Sequence, residues 1–483
     1  MGYQIAGYTA VATRMRFVLP TYFLMKDSPA MPERFHAIIG RWIWAHGRQL
    51  HAVGDTGYES NMLTLTGMAQ WMTVAFLPEL RDAETWEEQF WPRYEAGYRR
   101  DLLPDGTHEH RAFGYHLTYV YRGLSVLALA RMLGTESTIP EGFRELVGQA
   151  TDAFAAIISP IRSTPGVNDD WEIRTDYRHV LFLGADLYGR PDWRHLATDG
   201  QQGKPPRERS TLLPDGQLAV MRSGWSKEAR WLFFNVSPEG GHHHCDTLGI
   251  QIWAGGRQLL VEPYKGDYTF ERDVYNRSWW HSTPTLGETL LPLRPEPKVL
   301  HWETSPKLDY AIGQITVPVG DDATPATIRR HIFHVDRRFW VVWDEFEDVP
   351  DGQVIWENFH FPTRDLNCGD DGRSVVTALP DSPNLLLRVG QHGWAMQKED
   401  TRMWPVSSRD TLPTATLHYE AGPDTAARGF AALLLPFEGR KPPSTARVDE
   451  IERLSGGRVR LRVSVAGGTR VLTTLGPEGS DLK

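Results

Sequence analysis

The chain has 483 residues, a formal net charge of −9, 41% hydrophobic and 23% charged residues, and two cysteines. These values suit a soluble globular protein of about two domains and disfavour nucleic acid or an anionic membrane as the main partner. Cys245 and Cys368 provide no disulfide framework, and no apolar run approaches the ~20 residues that a membrane helix needs. The 18 Trp and 16 Tyr are many. Such side chains build cores and also line carbohydrate clefts, the core being the commoner use.

The start, Met1-Gly-Tyr-Gln-Ile, has neither a basic segment nor a long apolar core, so no signal peptide is expected. As it stands the chain reads as cytoplasmic, and as periplasmic or secreted if the N-terminus is processed or truncated. Apolar residues at helical spacing predict helices over 10–25, 32–50, 62–76, 83–100 and 115–132. Pro78, Pro104 and Gly134 punctuate them. Asn61 opens the third helix, where capping is its ordinary use. Tyr115 and His116 open the fifth, after Asp-Gly-Thr-His-Glu-His-Arg-Ala-Phe-Gly. The regular helix–loop–helix pairing suggests an array of helical hairpins over residues 1–197. Residues 198–212, rich in Gly, Pro, Asp and Arg, read as a linker. From 213 to 483 the pattern is β, with short alternating runs at 218–222, 231–236, 310–316, 328–335, 339–343, 354–361, 415–419, 431–435 and 459–465.

The most informative stretch is 240–288. It packs His242, His243, His244 and Asp246 into five positions, then two apolar runs, 247–254 and 257–261, around a Gly-Gly turn. Glu262 closes the second run, and His281 follows a tyrosine-rich loop. His244, Glu262 and His281 therefore converge on one end of a sheet, and imidazole and carboxylate are residue types that zinc accepts. Spacings of 18 and 19 residues match no short zinc motif, and histidines capping a core account for the cluster equally well.

The run Gly-His-His-His-Cys-Asp, the strand ending Gly-Gly-Arg-Gln-Leu-Leu-Val-Glu-Pro, and Trp-Trp-His281-Ser282-Thr283 resemble the C-terminal domain of the heparinase II/III-like polysaccharide lyases. The resemblance extends over about residues 5–365, including Leu77-Pro-Glu-Leu with Trp86, and Tyr115-His116. It implies an α/α toroid followed by an antiparallel β-sandwich, where periodicity alone reads a helical half and a β half. It further implies zinc on His244, Glu262 and His281, and an active site of Asn61, Tyr115, His242 and Tyr275. His116 and Arg277 are expected at the substrate. Glu262 stands where the family usually has Asp, Ser282 where it has Asn, and Met62 where it has His. Helices that precede the equivalent of Gln4 in related proteins are expected to be missing, leaving the toroid short.

Eliminating across a glycosidic bond next to a uronate needs three services: neutralising the carboxylate, removing the C5 proton, and protonating the leaving oxygen. The resemblance assigns the first to Asn61. The resemblance makes Tyr115 the candidate donor to the leaving oxygen and also a candidate base, with His242 the base or the charge stabiliser opposite it. The expected partner is an acidic polysaccharide or oligosaccharide, with a homo-oligomer allowed for. Two other readings stay open. A toroid glycoside hydrolase would use paired carboxylates, for which Asp105, Glu109, Asp169 and Asp170 are available. A non-catalytic glycan-binding protein would keep the scaffold alone.

Overall fold

The computed structural model describes residues 2–54, 62–168, 170, 175–238, 244–262, 276–287, 297–320, 322–380, 383–391, 393–403, 412–421 and 429–476. The chain forms two compact units. One comprises Met1–Glu109, Tyr115–Phe154 and His179–Trp193, the other His110–Gly114, Ala155–Arg178 and Arg194–Lys483. Each is described here by itself.

The first unit is helical, the N-terminal toroid half of the fold. Among the described residues the helices are Gly2–Met25, Glu33–Gly54, Met62–Phe76, Ala83–Asp101, Phe113–Leu133, Glu141–Ile157, Arg178–Tyr188 and Pro191–Ala197. The first helix begins eight residues before the predicted start, because nothing but Gly7 interrupts the chain there. No described helix is long and apolar enough to cross a membrane. The interior is aromatic: the Tyr98 ring lies 5.2 Å from Tyr94, 5.0 Å from Tyr119 and 5.0 Å from Phe143. Much of the tyrosine and tryptophan content is thus spent on packing. Gly67 is required by it, since a Cβ there would stand 2.7 Å from the Tyr94 ring.

The second unit is the antiparallel β-sandwich half. Five strands, Thr211–Leu213, Leu218–Arg222, Trp231–Asn235, Ile250–Ala254 and Arg257–Leu260, pair in sequence order. Gly255 and Gly256 have φ of +56° and +71°, as the two-residue hairpin turn between the last two strands demands. Leu218–Arg222, Trp231–Asn235 and Ile250–Ala254 are buried along their whole length, so both faces are covered. Among the described residues the unit also holds sheets of eight, four and three strands. Ile252, Leu260, Ile328, Trp340, Phe359 and Leu434 share its main core.

Within that core sits a closed ionic cluster. Arg330 forks onto Asp344 at 2.8 and 2.9 Å and reaches Glu357 at 2.9 Å, all three side chains being fully buried. Its Nη1 donates to the carbonyls of Leu248 and Ser282 at 2.9 and 3.0 Å, fixing the backbone beside the histidine run and beside His281. Burial, with Asp344 adjacent, holds the Glu357 carboxyl well above the usual range. Removing one member of such a cluster strands the others. Arg330→Leu is expected to lower the unfolding free energy by about 3–5 kcal/mol in urea titrations followed by tryptophan fluorescence. A loss under about 1 kcal/mol would mean that water reaches the cluster.

Candidate active site

The helix Phe113–Leu133 presents Tyr115 in its first turn. Its start is fixed by a carboxylate far away in sequence: Asp170 accepts the amides of Phe113 at 2.7 Å and Gly114 at 2.5 Å. A carboxylate there satisfies orphan donors and complements the positive end of the helix. Asp170 is buried, and both its oxygens are engaged. It is thereby a cap, and not the unencumbered acid that a hydrolase pair would need. Asp105 likewise closes its own turn, accepting the amide of Thr107 at 3.0 Å.

Tyr115 is half-buried, its ring stacked 6.4 Å from that of His108. Its neighbour His116, expected at the substrate, lies instead in the interior of the helical unit. Nδ1 accepts the main-chain N–H of His108 at 3.2 Å, and Nε2 lies 2.9 Å from the carbonyl of Ala150. One partner only donates and the other only accepts, so the ring is neutral with its proton on Nε2. Burial pulls its pKa down to about 4. His116 braces the turn around His108 against the helix Glu141–Ile157.

In the β unit, His244, Glu262 and His281 are all buried and lie together. Nδ1 of His281 bonds to Oε2 of Glu262, and the His244 and His281 rings stand 5.4 Å apart. Burial pushes the carboxyls of Glu262 and Asp246 up, a cost that a bound cation would relieve. Two imidazoles and a carboxylate fit zinc as a donor set. Among the described residues no three ligating side chains already surround a common point. Asn61, His242 and Tyr275 lie outside the described residues. Arg277 is exposed at the entry to a short turn, Ser278–Trp280, whose Trp279 stacks on His418 at 3.8 Å.

Sequence reasoning missed the group that holds His244 and Asp246 in place. Asn168, buried and at φ +55°, donates its own N–H to Asp246 Oδ2 and accepts the His244 N–H on Oδ1, both at 3.0 Å. Its Nδ2 reaches the carbonyls of His110 and Arg111 at 3.3 and 3.4 Å. Asn235 supports Asp246 from the other side at 2.9 Å. Gln251 clasps Gly166, accepting its N–H at 3.0 Å and donating to its carbonyl at 2.5 Å. The polar run Asn168-Asp169-Asp170 between two helical patterns was the available signal, and it reads as an ordinary solvated loop.

With this geometry in hand, comparison with known proteins is specific. The family model described as Heparinase II/III N-terminus matches residues 8–187, and that described as Heparinase II/III-like, C-terminal, matches residues 205–446. The chain is 21% identical over 473 residues to a heparin-sulfate lyase of Pedobacter heparinus, covering 95% of this chain and 70% of the relative. It is 22% identical over 402 residues to a heparin-sulfate lyase of Bacteroides stercoris, covering 80% and 59%. The chain therefore spans between 59% and 70% of the length of these two relatives. Among solved structures, a mutant of the heparan sulfate lyase HepC from Pedobacter heparinus superposes with a TM-score of 0.82 at 20% identity, over 97% of this chain and 74% of that one.

The His116 brace has a pH signature. Its pKa is about 4 in the fold against 6.5 for a free histidine, so between those values the unfolded chain binds more protons. Its contribution to stability is complete above pH 6.5 and drains away as the pH falls towards 4, by about 3 kcal/mol in all. Chemical denaturation of the parent from pH 7 to 4 should show this slope, and His116→Gln should be flatter. Equal slopes would remove the brace.

Proposed function

The chain belongs to the heparinase II/III family, and on that basis we propose that it is a polysaccharide lyase, a carbon–oxygen lyase, cleaving a sulfated uronate glycan of the heparan sulfate type by β-elimination. The observation that carries this reading is that both halves of the chain match the family, in the family's order. The curated relatives, both heparin-sulfate lyases, point to the substrate.

The chemistry follows from what each side chain can offer. The C5 proton of a uronate becomes acidic enough to leave only when its carboxylate is neutralised, the role assigned to the amide of Asn61. Arg277 offers a bidentate partner to a carboxylate or sulfate. Tyr115 delivers a proton to the glycosidic oxygen as the C4–O bond breaks. The C5 proton passes to Tyr115 itself or to His242, with Tyr275 as the further tyrosine. The product carries a C4–C5 double bond. A tyrosine starts near pKa ~10 and works as a base only beside cations or strong donors.

His244, Glu262 and His281 would hold a zinc ion, whose positive charge would offset the buried carboxyls. Hydrolysis is the weaker alternative, because Asp170 is committed to capping.

Ultraviolet absorbance of products on heparan sulfate, heparin and other uronate glycans tests the reaction. A rise on heparan sulfate is expected, reduced roughly 10²–10⁴-fold in Tyr115→Phe. New reducing ends without absorbance would establish hydrolysis instead. Metal analysis of the purified protein should find about one zinc per chain, lost in His281→Ala. A parent that takes up no zinc on reconstitution would remove the metal.

A further inference from the structure

We infer that Asn168 is a positioning residue that couples the backbone leading into Tyr115 to the backbone of His244–Asp246. This rests on the lyase reading above, and assigns the arrangement of its site to a residue that touches neither substrate nor metal.

Asn168 uses its main-chain N–H and both ends of its side-chain amide. Towards the histidine run, its N–H binds Asp246 and its Oδ1 takes the N–H of His244. Towards the other segment, its Nδ2 spans the carbonyls of His110 and Arg111. Two residues on, Asp170 accepts the amides of Phe113 and Gly114, and Tyr115 follows directly in the chain. A single amide thus pins residues 110–111 to His244, 133 or more residues further along the chain (244 − 111 = 133). Only a side chain with an acceptor and a donor on one planar group serves both sides at once. The backbone pays attention to this role rather than to local preference: Asn168 is left-handed at φ +55°, Arg111 at +53° and Leu248 at +66°. Left-handed non-glycine residues persist where their surroundings over-determine them, and here all three flank the same junction.

The coupling predicts more than a loss of stability. Misplacing a reacting group by about 1 Å costs up to ~10²-fold in rate, while ground-state binding along an extended glycan changes little. Asn168→Gly and Asn168→Ala both remove the amide, but only glycine is at ease at φ +55°. The glycine variant should therefore melt above the alanine variant. Both should lose kcat alike, roughly 10- to 100-fold, with KM changed less than about threefold. In the full-length parent and the glycine variant, amide hydrogen exchange read by peptide should quicken together at 110–114 and at 244–249. Activity that follows melting temperature, so that glycine recovers what alanine loses, would reduce Asn168 to a structural residue. Faster exchange in only one of the two segments, or in neither, would overturn the coupling. If the parent itself shows no lyase product on any glycan, the functional reading fails, and the exchange experiment still decides the coupling.

Discussion

Buried irregular backbone is the constraint on which the rest of this structure depends. Residues 158–168 contain no helix or strand, yet all but Ile161 are buried. Loops normally stay at the surface because each peptide brings a donor and an acceptor that need partners. Here partners come from side chains: Gln251 for both groups of Gly166, Asp246 for the amide of Asn168, and Ser159 for that of Ser163. The strand that supplies Gln251 also carries the register of the five-stranded sheet, its Gln251 paired with Phe233.

The β unit handles buried charge in two contrasting ways. Around Arg330 the buried groups are paired, one guanidinium meeting two carboxyl groups and two carbonyls. Around His281, two carboxyls pushed up by burial stand among imidazoles. The first arrangement is what a core needs to be rigid. The second holds carboxyls whose charged form burial disfavours. Arg330 joins them, since the carbonyls it holds belong to Leu248 and Ser282, next to the histidine run and next to His281.

Periodicity revealed the helices well because the breakers were local: 62–76 was read to the residue, and 83–100 ended one short. The Gly-Gly hairpin was legible for the same reason. Strands such as Asn384–Val389 and Trp394–Met403 escaped, the first because it is nearly all buried and shows no alternation. Placement was legible where a motif named it, at His244, Glu262 and His281, which do lie together. It was not legible where burial decides: His116 resembles a ligand-binding histidine in sequence and is an internal brace in the fold. Asn168 and Asp170 resemble solvated loop residues, and their partners lie 56 to 78 residues away, beyond the reach of any local pattern.

That separation also sets an order of assembly. Gly166, Asn168 and Asp170 leave the ribosome well before Gln251 and Asp246, which follow Gly166 and Asn168 by 85 and 78 residues. At about 5–20 residues per second this interval lasts roughly 4–17 seconds. Throughout it, the amides of Gly166 and Asn168 have only water to satisfy them.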